Sequence, residues 1–195
     1  MKLETIKKLR ELPYFTIDDL ARISGIGHAS AYVFCNRYVK NGVFIRLKNN
    51  FYVLEEMWGR LAPEGRFKIA NYLQVPSYIS FMTALSYYEM TTQVQRDFFE
   101  SASLKRSAAF EAPPAEFSYY KLKKELYFGF VKMKDFFIAT PEKALIDSLY
   151  LYSFGRFGLD LDSINMKHFD KAALRAILKV FPKKTKEIAK KICKI

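Results

Sequence analysis

Apolar residues recur at helical spacing three times in the first 40 positions and then give way to strand-like runs. Over residues 2–12, Leu3, Ile6, Leu9 and Leu12 share one face, and Pro13 ends the helix by forcing the residue before it out of the helical region. Thr16 followed by Asp19 marks a second start. Ile17, Leu20, Ala21 and Ile23 form its buried stripe, and Gly25 supplies the stop. After the turn Gly25-Ile26-Gly27, a third helix from His28 or Ala29 to Lys40 turns Ala31, Phe34, Cys35 and Tyr38 inward and leaves Ser30, Tyr32, Asn36 and Arg37 opposite. Residues 43–47 and 51–54 are β-rich runs joined by Lys48-Asn49-Asn50, suited to a tight hairpin. Helix, helix, turn, helix, hairpin is the order of a winged helix-turn-helix, assigned to residues 1–56.

Residues 55–63 show no clear period, contain Gly59 and read as a linker into a second domain over 57–195. Pro63 suits the first position of a helix bearing Phe67, Ile69, Ala70 and Leu73, and Ser80 is placed to cap the next. Between 94 and 139 the pattern changes to short runs at 97–99, 117–120, 127–131 and 136–138, read as an antiparallel sheet of three to five strands. Pro113-Pro114 belongs in a loop or at an edge. Thr140-Pro141-Glu142 begins a helix by three signals: a capping hydroxyl, a proline at the first position and an acid near the positive end. That helix, apolar on nearly every side to about Phe154, predicts a central element. A further helix over 170–181 and a basic segment over 183–195 close the chain. The fold class is α+β: an N-terminal winged helix, then a mixed domain with a small antiparallel sheet and several helices.

Half of the 195 residues are hydrophobic, and 18 Phe with 13 Tyr give ample apolar surface for cores in both parts. Lys and Arg outnumber Asp and Glu by 32 to 20, so nucleic acid is the first partner to consider. Ten basic residues face two acidic ones from Lys167 onward, a net of +8, against +3 through Glu56. No run approaches the roughly 20 apolar residues of a membrane span. The opening Met-Lys-Leu-Glu-Thr lacks a signal peptide's apolar core, so a cytoplasmic site is expected. Cys35 and Cys193 are expected to be two reduced thiols.

The chemistry of common enzymes is missing. There is no Gly-rich phosphate frame and no serine nucleophile elbow, and His28 and His168 are widely separated in sequence, without the spacing of a metal-binding pair. Gly25-x-Gly27 follows a helix, which favours a helix-helix turn over a dinucleotide fingerprint. Asp135 and Glu142 do not have nuclease spacing, and Glu142 is accounted for as a helix-start acid. Asp147 lies inside the apolar helix and must be paired; Lys143, four residues earlier, is its expected partner, in a structural more than a catalytic role. No enzyme activity, cofactor or metal is expected.

The candidate DNA contacts are Ser30, Tyr32, Asn36 and Arg37 on the third helix, with Arg46, Lys48, Asn49 and Asn50 on the hairpin. Asn suits adenine, Arg suits guanine or phosphate, and the hairpin tip offers a cation and two amides. A solvated turn explains the asparagines equally well. Tyr32 is open to half-burial, and His28 to a place beside the helix start. Lys171, Arg175, Lys179, Lys183, Lys184, Lys186, Lys190 and Lys191 form a basic C-terminal surface with two readings: a second DNA-contacting face, or a solvated one.

Four segments resemble the AbiEi antitoxins of AbiE-type toxin-antitoxin and phage-abortive systems. They are residues 78–88 (YISFMTALSYY), 117–122 (FSYYKL), 128–130 (FGF) and, most specifically, 139–147 (ATPEKALID). One departure is Glu89, where the resemblance implies glycine. It implies a winged helix that represses its own operon and a C-terminal domain that counters a nucleotidyltransferase-like toxin. The operator is expected to be an inverted repeat, bound by a dimer on DNA. The alternative is a stand-alone regulator whose second domain senses or dimerises; a magnesium-dependent nuclease is a third class.

Overall fold

The computed structural model describes residues 3–195, so Lys2 of the first helical pattern lies outside the described residues. Helices α1 (Leu3–Arg10), α2 (Ile17–Ser24) and α3 (His28–Lys40) precede the hairpin β1 (Phe44–Lys48) and β2 (Phe51–Leu54). The expected signals set these boundaries. Thr16 and Asp19 form a reciprocal capping box, and Gly25 closes α2 at φ 67°. Leu9, Phe15, Leu20, Ala31, Cys35, Phe44 and Tyr52 make the first core.

The hairpin belongs to two cores. Phe44, Tyr52 and Leu54 face the helices, whereas Ile45, Leu47, Phe51 and Val53 join the core of the second domain. All four residues of β2 are buried, so the wing is a shared wall between the two parts. Residues 55–63, expected as a linker, contain α4 (Glu55–Trp58) instead. Its Trp58, 2% exposed, packs edge-on against Phe99 and Phe117. A large buried aromatic anchors this junction, which therefore is not a flexible tether.

The second domain continues through α5 (Pro63–Leu73), β3 (Ser77–Ile79), α6 (Phe81–Tyr87), β4 (Phe98–Ser103), β5 (Ala108–Ala112), β6 (Ala115–Lys121), β7 (Phe130–Lys132), β8 (Phe137–Ala139), α7 (Pro141–Ser153), α8 (Lys171–Leu178) and α9 (Lys183–Cys193). Six strands form one sheet in the order β5-β6-β4-β3-β8-β7. The pairs β4–β6 and β3–β8 are parallel, so the sheet is mixed where an antiparallel one of three to five strands was expected. Pro113-Pro114 occupies the β5–β6 turn.

Both faces of the sheet are covered at its centre. Phe99 meets Trp58 and Phe67 on the α5 side, while its neighbour Glu100 accepts from the Met82 N–H of α6, as strand alternation requires. Thr140 caps α7, which is buried on almost every side and packs against α6, α8 and α9. Among the described residues, no helix is long and apolar enough to cross a membrane.

Candidate nucleic-acid interface

The turn between α2 and α3 fixes how α3 is presented. Gly25 takes the left-handed conformation, the Ile26 N–H donates to the Ala21 carbonyl at 3.1 Å, and Gly27 begins α3. Ala31 and Cys35 then point into the core at 0% exposure, and burial pushes the Cys35 thiol up to about 11. Ser30, Tyr32, Val33 and Arg37 are left exposed, with Asn36 half-buried. The Arg37 guanidinium lies over the Phe34 ring at 5.1 Å and near Tyr38 at 5.6 Å, which holds it against the helix with its donors available. His28 stands at the start of α3, 3.5 Å from Asp18.

Arg46 projects from the middle of β1, is exposed, and donates to Asn49 Oδ1 at 3.1 Å. It pairs across the hairpin with Tyr52. Burial raises the Tyr52 hydroxyl pKa. α3 packs beside β1, and the exposed side chains of α3, β1 and the turn after it include Ser30, Tyr32, Arg37, Arg46 and Asn49.

Lys48 and Asn50 also make contacts within the protein. The turn has two residues, Asn49-Asn50, since Lys48 is the last residue of β1 and pairs with Phe51. Asn50 adopts φ 54°, and its Oδ1 accepts from the Ile17 N–H at 2.7 Å, which ties the hairpin tip to the start of α2. Lys48 donates to the Leu73 carbonyl and lies over Phe51. Burial first, then the Arg106 charge, push its pKa down. Each side chain thus already has a partner within the protein.

One basic element escaped the sequence reading. Lys105 and Arg106, on the β4–β5 connection, stand across a cleft of about 550 Å3 from Lys48 and Asn49. Three cations around one cleft would favour an anion there. The pair was visible in the sequence, but its nearness to the hairpin depends on β1 lying beside β5.

The basic C-terminal surface is built from α8 and α9. Arg175, Lys179, Lys186 and Lys190 line a groove of about 480 Å3 with Leu178 and Ile195. Lys171 and Lys186 donate to backbone carbonyls, Lys183 pairs with Glu187 at 3.9 Å, and Lys184 sits over Phe154 at 5.4 Å; Lys191 is exposed.

The paired acid in α7 lies at the centre of a closed cluster. Asp147 accepts from Tyr78 and Ser80, each at 2.9 Å, and from Lys143, whose Nζ also donates to the Tyr78 oxygen. All four side chains are buried to 0% exposure. Burial raises the carboxyl pKa and lowers that of the ammonium, while their mutual attraction opposes both shifts. Ser80 spends its hydroxyl here instead of capping α6, and Glu100 takes over that task. Among the described residues, no three His, Cys, Asp or Glu side chains are placed to hold a metal ion.

No family model and no curated protein matches the chain. Among solved structures, the RV2827C protein from Mycobacterium tuberculosis superposes with a TM-score of 0.62 over 98% of this chain and 75% of that one, at 10% identity. That likeness extends through both parts and concerns the fold alone.

Proposed function

We propose that this chain is a sequence-specific DNA-binding repressor of its own operon and the antitoxin of a toxin-antitoxin pair. The observation that supports DNA binding is the packing of α3 beside β1 with Tyr32, Arg37, Arg46 and, in the hairpin turn, Asn49 exposed, on a helix of suitable length. An α-helix fits the major groove, Arg reads guanine or phosphate, and the adjoining strand reaches the flanking backbone. Two copies on an inverted repeat supply the specificity that one short helix lacks. The antitoxin role rests on the resemblance of residues 139–147 and the companion segments, and its partner is a nucleotidyltransferase-like toxin. A second reading, a stand-alone regulator whose second domain senses a ligand, is favoured by the cavity on the α5 side of the sheet.

Nuclease footprinting on the chain's own upstream region tests the repressor role, with protection of an inverted repeat expected. Co-expression with the adjacent gene tests the antitoxin role: rescue of growth supports it, and unrelieved toxicity leaves the stand-alone regulator.

A further inference from the structure

At the β7 edge of the sheet lies a cavity of about 490 Å3, within the range of small-molecule sites. One wall is the stripe Lys68, Asn71, Tyr72 and Val75, on α5 and just beyond it. The other is formed by Tyr127, Phe130 and Phe137. Aromatic rings on both sides suit a flat π-system.

Two polar groups among the lining residues are unused. Asn71 Oδ1 accepts from the Phe137 N–H at 2.6 Å, which fixes the amide and turns Nδ2 the other way. That Nδ2 and the Ser77 hydroxyl, both shielded from solvent just behind the wall, have no hydrogen-bond partner among the described residues. Buried groups of this kind are normally satisfied, by protein, water or ligand. The charge is also unbalanced. Lys68, Lys132 and Lys134 surround one acid, Asp135, and Lys68 holds it at 3.1 Å. Lys132 and Lys134 are exposed and have no acidic partner within ion-pair distance among the described residues.

We infer that this cavity binds a small planar aromatic molecule carrying an anionic group, its ring between Tyr72 and the Tyr127, Phe130 and Phe137 wall and its charge at Lys132 and Lys134. The occupant would touch the frame of the hairpin: the Tyr72 ring is 5.3 Å from Tyr14, Tyr14 stacks on Phe51 at 4.1 Å, and the next carbonyl, Leu73, holds Lys48. Binding itself does not depend on the DNA-binding reading.

The test is calorimetric titration of the full chain, without DNA, with adenosine monophosphate, 4-hydroxybenzoate, adenosine and inorganic phosphate. At least one of the two aromatic anions should saturate the site with Kd below about 1 mM, at least about tenfold tighter than adenosine or phosphate. Which anion binds distinguishes a nucleotide from an aromatic carboxylate. Val75→Trp, at a position 56% exposed beside the cavity, and Lys132→Glu with Lys134→Glu should each weaken binding about tenfold or more. Lys183→Glu with Lys184→Glu, on α9, should not. Melting curves like that of the parent establish that each variant is folded. Absence of saturable binding by both aromatic anions, or binding that withstands the Val75 and Lys132/Lys134 changes, overturns the proposal.

Discussion

Cutting the chain after residue 62 removes the second domain and uncovers one face of the hairpin. Ile45, Leu47, Phe51 and Val53 are 8%, 2%, 5% and 2% exposed and belong to the second core. Each contributes about 1.5–3 kcal/mol by burial, so as much as about 6–12 kcal/mol of the hairpin's stabilisation depends on residues the truncation deletes. That figure is an upper bound, because part of the burial is internal to the hairpin and the unfolded chain hides some of its surface. It still equals the whole stability of an ordinary small domain, about 5–15 kcal/mol. The Lys48 tie to Leu73 and the Trp58 anchor are lost as well. Residues 1–62 should therefore melt non-cooperatively, bind a hydrophobic dye and lose DNA binding. Full-length Val53→Asp should show a milder form of the same defect, with Tm lowered and the dye bound. A cooperative transition in residues 1–62 near that of the full chain, with DNA affinity intact, would refute the shared-wall reasoning.

Three further outcomes follow from the second domain. Asp147→Asn leaves the Lys143 ammonium without its buried counter-charge and should cost about 3–5 kcal/mol in denaturant unfolding, with a smaller loss for the double change Lys143→Met and Asp147→Leu. Burial raises the Glu100 pKa from 4.5 to about 7, so the folded state holds its proton longer than the unfolded one; stability falls as pH rises from about 4.5 to 7, by roughly 3 kcal/mol. Unfolding measured at pH 5 and pH 8 should show that slope in the parent and a flatter one in Glu100→Gln. Glu89 sits at φ 58°, a conformation glycine adopts without steric cost, and Glu89→Gly should raise stability by up to about 1 kcal/mol in the same assay.

What could be read from the chain alone was mostly local. The Thr16–Asp19 box, the Gly25 stop and the Thr140-Pro141 start act within one helical turn, and each appears where the spacing places it. Glycine at position 89 was implied by resemblance, and the left-handed backbone there supplies its physical reason. Less legible were features set by distant partners. β5, an Ala-Ala-Phe-Glu-Ala run, has little strand character and gains its place by pairing with β6. β3 has only three residues, and its parallel partner β8 lies some 60 positions later. One signal was present and left unused: β2 is apolar at all four positions, the pattern of a strand buried on both faces. The internal partners of Lys48 and Asn50 were equally hidden, because they arise where a hairpin held between two cores brings its tip against both neighbours.

The central claim is that the exposed face of α3 and β1 reads DNA sequence. Its most direct test is the ratio of affinities for the chain's own upstream duplex and a scrambled duplex, measured by fluorescence anisotropy at one moderate salt concentration. The full chain should prefer its own duplex by about a thousandfold or more. Arg37→Ala with Arg46→Ala, two exposed changes that leave both cores untouched, should reduce that ratio by about tenfold or more while melting like the parent. Equal affinity of the unmodified chain for both duplexes, or an unchanged ratio in the double variant, would contradict it.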